Sequence, residues 1–308
     1  MEYLDKARLD ALAHTFELNY RLTRLYKAYL ENCPELITKK MIDTLTEGGE
    51  VGEKEAIVAL LSEAFGLDYE RGGDDRRLIR DYITPSVTLL DAARYKKNPY
   101  CKNIVIENVT DGNWELRHES YEPYRAVICH DMVAREDFSE FAPLGFFKEK
   151  FFFPAVLEDG NEWMTLTPVD LDTCDEAIEA AHGDVVTFGL GLGYYAYMCA
   201  EKENVSSVTV VEINEDVIRL FKKHILPQFS HPEKIKIIKA DAVEYARDIM
   251  PKERFDYAFV DIWRDASDGA PIYEKMKRLE YLSEGTKFDY WIENFLISRL
   301  RAIRFEEL

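Results

Sequence analysis

Apolar residues recur every three or four positions from Tyr3 to about Leu30, where Leu4, Leu9, Leu12, Phe16, Leu22, Leu25 and Leu30 stand among charges; this spacing predicts a helix. A second helix is expected after Glu53, with Ala56, Ile57, Leu60, Leu61, Ala64 and Phe65 on one face and Gly66 as its stop. A third runs from Leu78 to Ala93, interrupted by Pro85, and the lone Asn98-Pro99-Tyr100 reads as a turn. From 104 to 170 the pattern shortens to β-prone runs, IVIENV, YRAVICHDMV, KFFFPAVLE and EWMTLT, broken by DGN, APLG and EDGN turn signals, which predicts hairpins. Asp170 to Ala181 then reads as a helix capped by Asp or Thr. Beyond it VVTF, SVTVVE, KIKIIKADA and RFDYAFVDIW alternate with helical stretches, the order of an α/β fold with a mainly parallel sheet flanked by helices. Three regions follow: helical 1–103, hairpins 104–169, and an α/β domain 170–308.

Composition narrows the partners. With 47% hydrophobic and 31% charged residues the 308-residue chain is made to fold. Its 39 basic against 58 acidic side chains give a net charge of −19, a field that repels phosphate backbones and anionic lipid and favours a cationic small molecule such as an amine. Neither nucleic acid nor membrane is expected as a partner. Five scattered cysteines without C-x-x-C spacing suit reduced thiols rather than a metal site. No apolar run reaches 18 residues and the charged N-terminus carries no leader pattern, so a cytoplasmic location is expected. The six histidines show no triad-like spacing with a nucleophile, so hydrolase chemistry has no support.

The most informative segment is Gly189-Leu190-Gly191-Leu192-Gly193, set between a buried-strand pattern and the helical YYAYMCAEK. Glycines there permit a tight turn, positive φ and close approach of a ligand to backbone at a helix N-terminus. Glu212 ends the next strand, nineteen residues after Gly193, where a carboxylate can accept from both hydroxyls of a ribose. Asp241 follows the third strand and Asp261 the fourth, so four carboxy-terminal strand edges converge where an open parallel sheet binds ligands. A dinucleotide fingerprint would want glycine at Tyr194, which argues against NAD.

Taken together, GLGLG, VVEIN, KADAVEY and FVDIW resemble the class I S-adenosylmethionine-dependent methyltransferases, a Rossmann-like superfamily, and within it the spermidine and spermine synthase branch. The resemblance covers roughly residues 170 to 295. It implies that Gly189, Gly191 and Gly193 pack against the methionine part of the cofactor, that Glu212 holds the ribose, and that Asp241 with Ala242 meets the adenine. It places Asp261 beside the acceptor as a base, with Asp265 and Asp268 as acidic companions. Trp263 is expected to pack rather than to face a cation.

Several positions depart from the branch pattern. Thr187 stands where many methyltransferases carry an acid, Leu192 and Gly193 occupy the place of the aminopropyltransferase Asp, and DIWRDASD lacks the Ser-Asp-Pro that follows the base. After FDYWIE only fifteen residues remain, too few for a final hairpin, so either the sheet is truncated or, as preferred here, the β-rich segment 104 to 170 covers its edge. The N-terminal helices should fold over the cofactor domain or form a homodimer contact. The leading expectation is a methyltransferase using S-adenosylmethionine on a small-molecule acceptor. An aminopropyltransferase using decarboxylated S-adenosylmethionine and a non-catalytic binding protein are the alternatives.

Overall fold

The computed structural model describes residues 5–306, with side chains as far as Ile303. The chain divides into two compact units, one of Met1–Ala92 with Ser120–Phe151, the other of Ala93–Glu119 with Phe152–Leu308. This division interleaves the segments 1–103 and 104–169 instead of following them. No helix among the described residues is long and apolar enough to cross a membrane.

In the first unit a helix runs over Lys6–Asn32, its N-terminus capped by Asp5, which accepts from the Arg8 amide at 2.9 Å. Tyr3 and Leu4, where it was expected to begin, lie outside the described residues. The buried line is Leu18, Leu22, Tyr26 and Tyr29, whereas Leu9 is exposed. The Glu53–Ala64 helix ends before Gly66, whose φ of +65° closes it as expected. The stretch expected to form a third helix over Leu78 to Ala93 does so only in part. It is wound as a π-helix over Leu78–Ile83, continues through Thr84–Ser86, and then extends as strand Val87–Leu90. Pro85 lacks the amide needed to continue the helix, and Val87 and Thr88 are β-branched. That strand pairs in parallel with Leu144–Phe147, a strand absent from the expected runs, which is flanked on its other side by Val127–Ile128.

The second unit carries the α/β fold. Five strands, β1 (Gly183–Phe188), β2 (Val205–Glu212), β3 (Ile235–Lys239), β4 (Tyr257–Val260) and β5 (Lys287–Tyr290), form a wholly parallel sheet in the order β3-β2-β1-β4-β5. This is the Rossmann-like order, with its reversal between β1 and β4. The second half of the central β1 is buried on both faces, with Val185, Val186 and Phe188 fully buried and Thr187 between them. Helices Tyr194–Ala200, Glu215–Leu220, Ala242–Asp248 and Ala266–Lys277 fall between successive strands.

The hairpins expected to cover the sheet edge do not extend it. Val109–Asp111, Trp114–Tyr121, Phe151–Glu158 and Asn161–Thr165 form a separate four-stranded sheet in that order, and among the described residues the parallel sheet ends at β3 and β5. The last of these strands brings Met164 onto the glycine loop instead. Asn98-Pro99-Tyr100 is not a turn but a helix start. Asn98 caps Pro99–Asn103, donates to the Tyr194 hydroxyl at 3.0 Å, and so places the Tyr100 hydroxyl to donate to the Leu192 carbonyl.

Gly269 tests how tightly the helix after β4 is seated. A Cβ there would stand 2.6 Å from Trp263 Cγ and 2.7 Å from Leu296 Cδ2. Gly269→Ala should therefore destabilise the protein by about 1–3 kcal/mol, the cost of overpacking a filled core, despite the better helix propensity of alanine. A denaturant midpoint equal to or above wild type would show that Trp263 and Leu296 can move apart freely.

Candidate active site

The carboxy-terminal ends of the parallel strands open into a cavity of about 740 Å³, within the usual size of a small-molecule cleft. It is lined by seven of the nine residues singled out in the sequence: Gly189, Gly191, Glu212, Asp241, Ala242, Asp261 and Asp268. Gly193 and Asp265 are not among its walls.

Each glycine of the loop has a structural reason for lacking a side chain. Gly189, at φ +97°, faces the Asp261 carbonyl, Gly191 faces the Met164 thioether, and Gly193, at φ +76°, begins helix Tyr194–Ala200 against the ring of Phe221. The expectation of a bare loop open to ligand is thus met only in part, because Met164 lies over Gly191 and accepts the Leu192 amide at 3.1 Å. A thioether is a weak acceptor, so that amide is poorly satisfied.

Glu212 is buried, and its carboxylate is already in use. One oxygen accepts from the Leu190 amide at 3.1 Å and the other from the Asn214 amide at 2.7 Å. Each oxygen keeps a second lone pair, enough for a diol to bond from the cavity side. Asp241 caps helix Ala242–Asp248 through one oxygen, which accepts from the Glu244 amide at 2.9 Å, and its other oxygen is left at the wall.

The three aspartates after β4 separate by function. Asp265 is the N-cap of helix Ala266–Lys277, and Asp268 completes the capping box by accepting from the Asp265 amide at 3.0 Å. Both have a structural task. Asp261 has none: its amide ties β4 to β1 through the Phe188 carbonyl at 2.9 Å, and its carboxylate makes no hydrogen bond or ion pair among the described residues. Burial, and after it the charge of Asp170, raises the Asp261 carboxyl well above the ordinary carboxylate range.

Asp170 was not among the sequence candidates. The helix it was expected to cap starts earlier, at Pro168, with Thr167 as N-cap; Asp170 stands at the third position and accepts from the Thr167 amide and hydroxyl at 2.7 and 2.8 Å. The helical stretch then breaks at Cys174 and resumes over Asp175–Ala180. A Thr-x-x-Asp capping box was readable at 167–170; that its third residue borders the cavity was not. Burial pushes the Asp170 carboxyl up to about 6. Cys174, a buried thiol held protonated by burial and by both aspartates, lines the same wall.

Aromatic and basic groups complete the cavity. Trp263 is buried and stacked on Tyr290 at 6.4 Å, the packing role expected of it, while the Arg264 guanidinium lies over Trp163 at 5.2 Å. Arg264 and Lys275 are the basic side chains of the lining, against Glu162, Asp170, Glu212, Asp241, Asp261 and Asp268. Neither forms an ion pair among the described residues. No histidine lines the cavity, and no group of three or more His, Cys, Asp or Glu among the described residues is arranged to hold a metal ion.

No family model matches the chain, and neither does any curated protein. Similar solved structures include a spermidine synthase in complex with the transition-state analogue AdoDATO, at 20% identity and a TM-score of 0.34 over 46% of this chain and 54% of that one. The spermidine synthase of Thermotoga maritima matches at 17% identity and a TM-score of 0.29, covering 41% of this chain and 50% of its own. A precorrin-8W decarboxylase of Methanobacterium thermoautotrophicum matches at 20% identity and a TM-score of 0.29, covering 39% and 59%. The matched part thus spans only about half to three fifths of those chains. At these scores the likeness carries no argument about chemistry.

The Asp170 carboxyl gives a prediction of sign. An unfolded aspartate releases its proton near 3.8 and the folded one near 6, so folding is favoured below that window and loses ground as pH rises through it. Asp170→Asn keeps an acceptor for Thr167 and removes the buried charge. It should match wild type in stability near pH 4 and exceed it above pH 6 by on the order of 1–2 kcal/mol, allowing for partial access of solvent. Paired urea melts at the two pH values decide it; an unchanged gap would mean that Asp170 is solvated like a surface carboxylate.

Proposed function

We propose that the chain is an S-adenosylmethionine-dependent methyltransferase acting on a small-molecule acceptor that carries an amine. The observation that carries this reading is Asp261: an enclosed carboxylate without a partner, at the point where strand order reverses, beside the glycine loop.

The residues present fit the adenosyl group. Glu212 keeps lone pairs for the ribose hydroxyls, Asp241 keeps one oxygen for an exocyclic amine, and Ala242 leaves room beside it. Arg264 and Lys275 suit the carboxylate of an amino acid. When bound, the cofactor supplies a carbon made electrophilic by a positively charged sulfur. Asp261 then has one task, to orient the acceptor nitrogen and take its proton, and a carboxyl raised above the ordinary carboxylate range is a stronger base for that task than an ordinary one. Tyr100 and Met164 hold the loop in place from either side.

Aminopropyl transfer is the second reading, favoured by the six acids that face the cavity. The unpaired Arg264 and Lys275 count against it, since the decarboxylated cofactor has no carboxylate to meet them.

Calorimetry with S-adenosylmethionine, its decarboxylated form and S-adenosylhomocysteine separates the readings. We expect the first and third to bind, and Glu212→Ala to weaken both by about 1.5–3 kcal/mol. Tighter binding of the decarboxylated form would transfer the reading to aminopropyl transfer, and no binding of any of the three would remove both.

Asp261→Asn should lower turnover by about 10² to 10⁴ fold and leave cofactor affinity nearly unchanged. Because the base works ionised, activity should be lost as pH falls through a pKa well above that of an ordinary aspartate, and this acidic limb should vanish from the residual activity of Asp261→Asn. Loss of cofactor binding in this variant would make Asp261 a cofactor ligand instead.

A further inference from the structure

Leu192, in the glycine loop, is gripped on both sides, and unequally. Its carbonyl accepts from the buried Tyr100 hydroxyl, whereas its amide has only the Met164 thioether, a weak acceptor, at 3.1 Å. Met164 also lies on Gly191, so closely that a Cβ there would strike its sulfur and methyl. It comes from Asn161–Thr165, the outer strand of the four-stranded sheet, and a β-bulge aims it. Val156 pairs with Met164 and Leu157 with Glu162, so Trp163 is an extra residue without a partner across the strands. A regular strand sends successive side chains to opposite faces. Here the extra residue lets two neighbours meet the cavity, Trp163 against the Arg264 guanidinium at 5.2 Å and Met164 on the glycine loop. Trp163 is anchored edge to face on the buried Trp114, with ring centroids 5.3 Å apart. The backbone is therefore held on both sides of Met164, by that stack and by the pairing of Thr165 with Ala155, and what can move is its unbranched side chain.

We infer that Met164 is an exchangeable plug on the glycine loop: its side chain turns aside for a ligand that carries an amino-acid end, and an oxygen of that ligand takes over the Leu192 amide. The inference deepens the methyltransferase reading above and rests on it. Oxygen is the better acceptor, so an amide that the thioether satisfies poorly gains by the exchange, while Tyr100 keeps the Leu192 peptide in one orientation throughout. The exchange costs the contacts of Met164 with Gly191. That cost falls on every ligand that reaches the loop and on none that stops short of it. Met164 is on this account a specificity residue, which discriminates ligands by their tail, and it is supplied by a strand outside the parallel sheet.

The test titrates S-adenosylhomocysteine and 5′-methylthioadenosine into the full chain by calorimetry, as wild type, Met164→Ala and Met164→Leu. The two ligands share the adenosyl thioether and differ in the amino-acid end, so the plug opposes the first alone. Met164→Ala should raise affinity for S-adenosylhomocysteine by about three- to tenfold, the order of one modest hydrogen bond, and change that for methylthioadenosine by less than about twofold. Met164→Leu, which refills the volume without an acceptor for the amide, should shift in the same direction, and it decides alone if Met164→Ala does not fold. Unchanged or weaker binding of S-adenosylhomocysteine overturns the inference, and so does an equal gain for both ligands. Wild-type protein and variants that bind neither ligand overturn the adenosyl reading above, and hydrogen exchange of the Leu192 amide on ¹⁵N-leucine-labelled protein then judges the plug. Exchange faster by about tenfold or more in Met164→Ala, or in Met164→Leu, supports a thioether that covers this amide; an unchanged rate overturns it.

Discussion

The carbonyl of Asp261 stands where a side chain at position 189 would be, and the amide of the same residue donates to the carbonyl of Phe188. Through these two backbone contacts the end of the fourth strand is locked to the turn that leaves the first, across the gap where strand order reverses. Any residue other than glycine at 189 would force the strands apart and take Asp261 with it. The site's geometry follows from this junction: the loop is bent over it, Glu212 ties down the Leu190 amide from one side, and Asp261 lines the cavity.

Around that junction the acids of the wall differ in how their oxygens are used. Glu212 and Asp241 spend lone pairs on backbone amides, whereas the Asp261 carboxyl makes no such bond. The contrast sorts the acids into those that build the walls and those left available for a ligand. Acids outnumber bases six to two along the recess, an arrangement that favours a cationic ligand over an anionic one.

Much of this was legible in the sequence. The strand runs ending at Phe188, Glu212 and Asp261 are apolar and separated by helix-length intervals, and period and punctuation suffice to read a parallel sheet with helical crossovers. What could not be read is tertiary. Asp265 and Asp268 looked like partners of Asp261 because they are near in sequence, but a helix begins there and uses both as caps. Asp170 looked like a helix cap but stands at the third position of a capping box led by Thr167, and its place in the chain gives no sign that the fold carries it to the cavity. Pro85 signalled an interruption, but whether helix or strand follows it was decided by Leu144–Phe147, more than fifty residues away, which offers a parallel partner.

The unextended parallel sheet leaves two strands, β3 and β5, each with a row of backbone donors and acceptors on its outer side. Such rows are templates for aggregation when flanked by apolar side chains. Here the outer strands are the charged ones: Lys236 and Lys239 interrupt the isoleucines of β3, and Lys287 and Asp289 form an ion pair on β5, while the uncharged VTVV and YAFV runs are kept inside. Lys239 is itself held by Glu215 of the preceding helix. A second chain approaching either edge would have to strip water from these charges, so the sheet can end at five strands without recruiting a sixth from a neighbour.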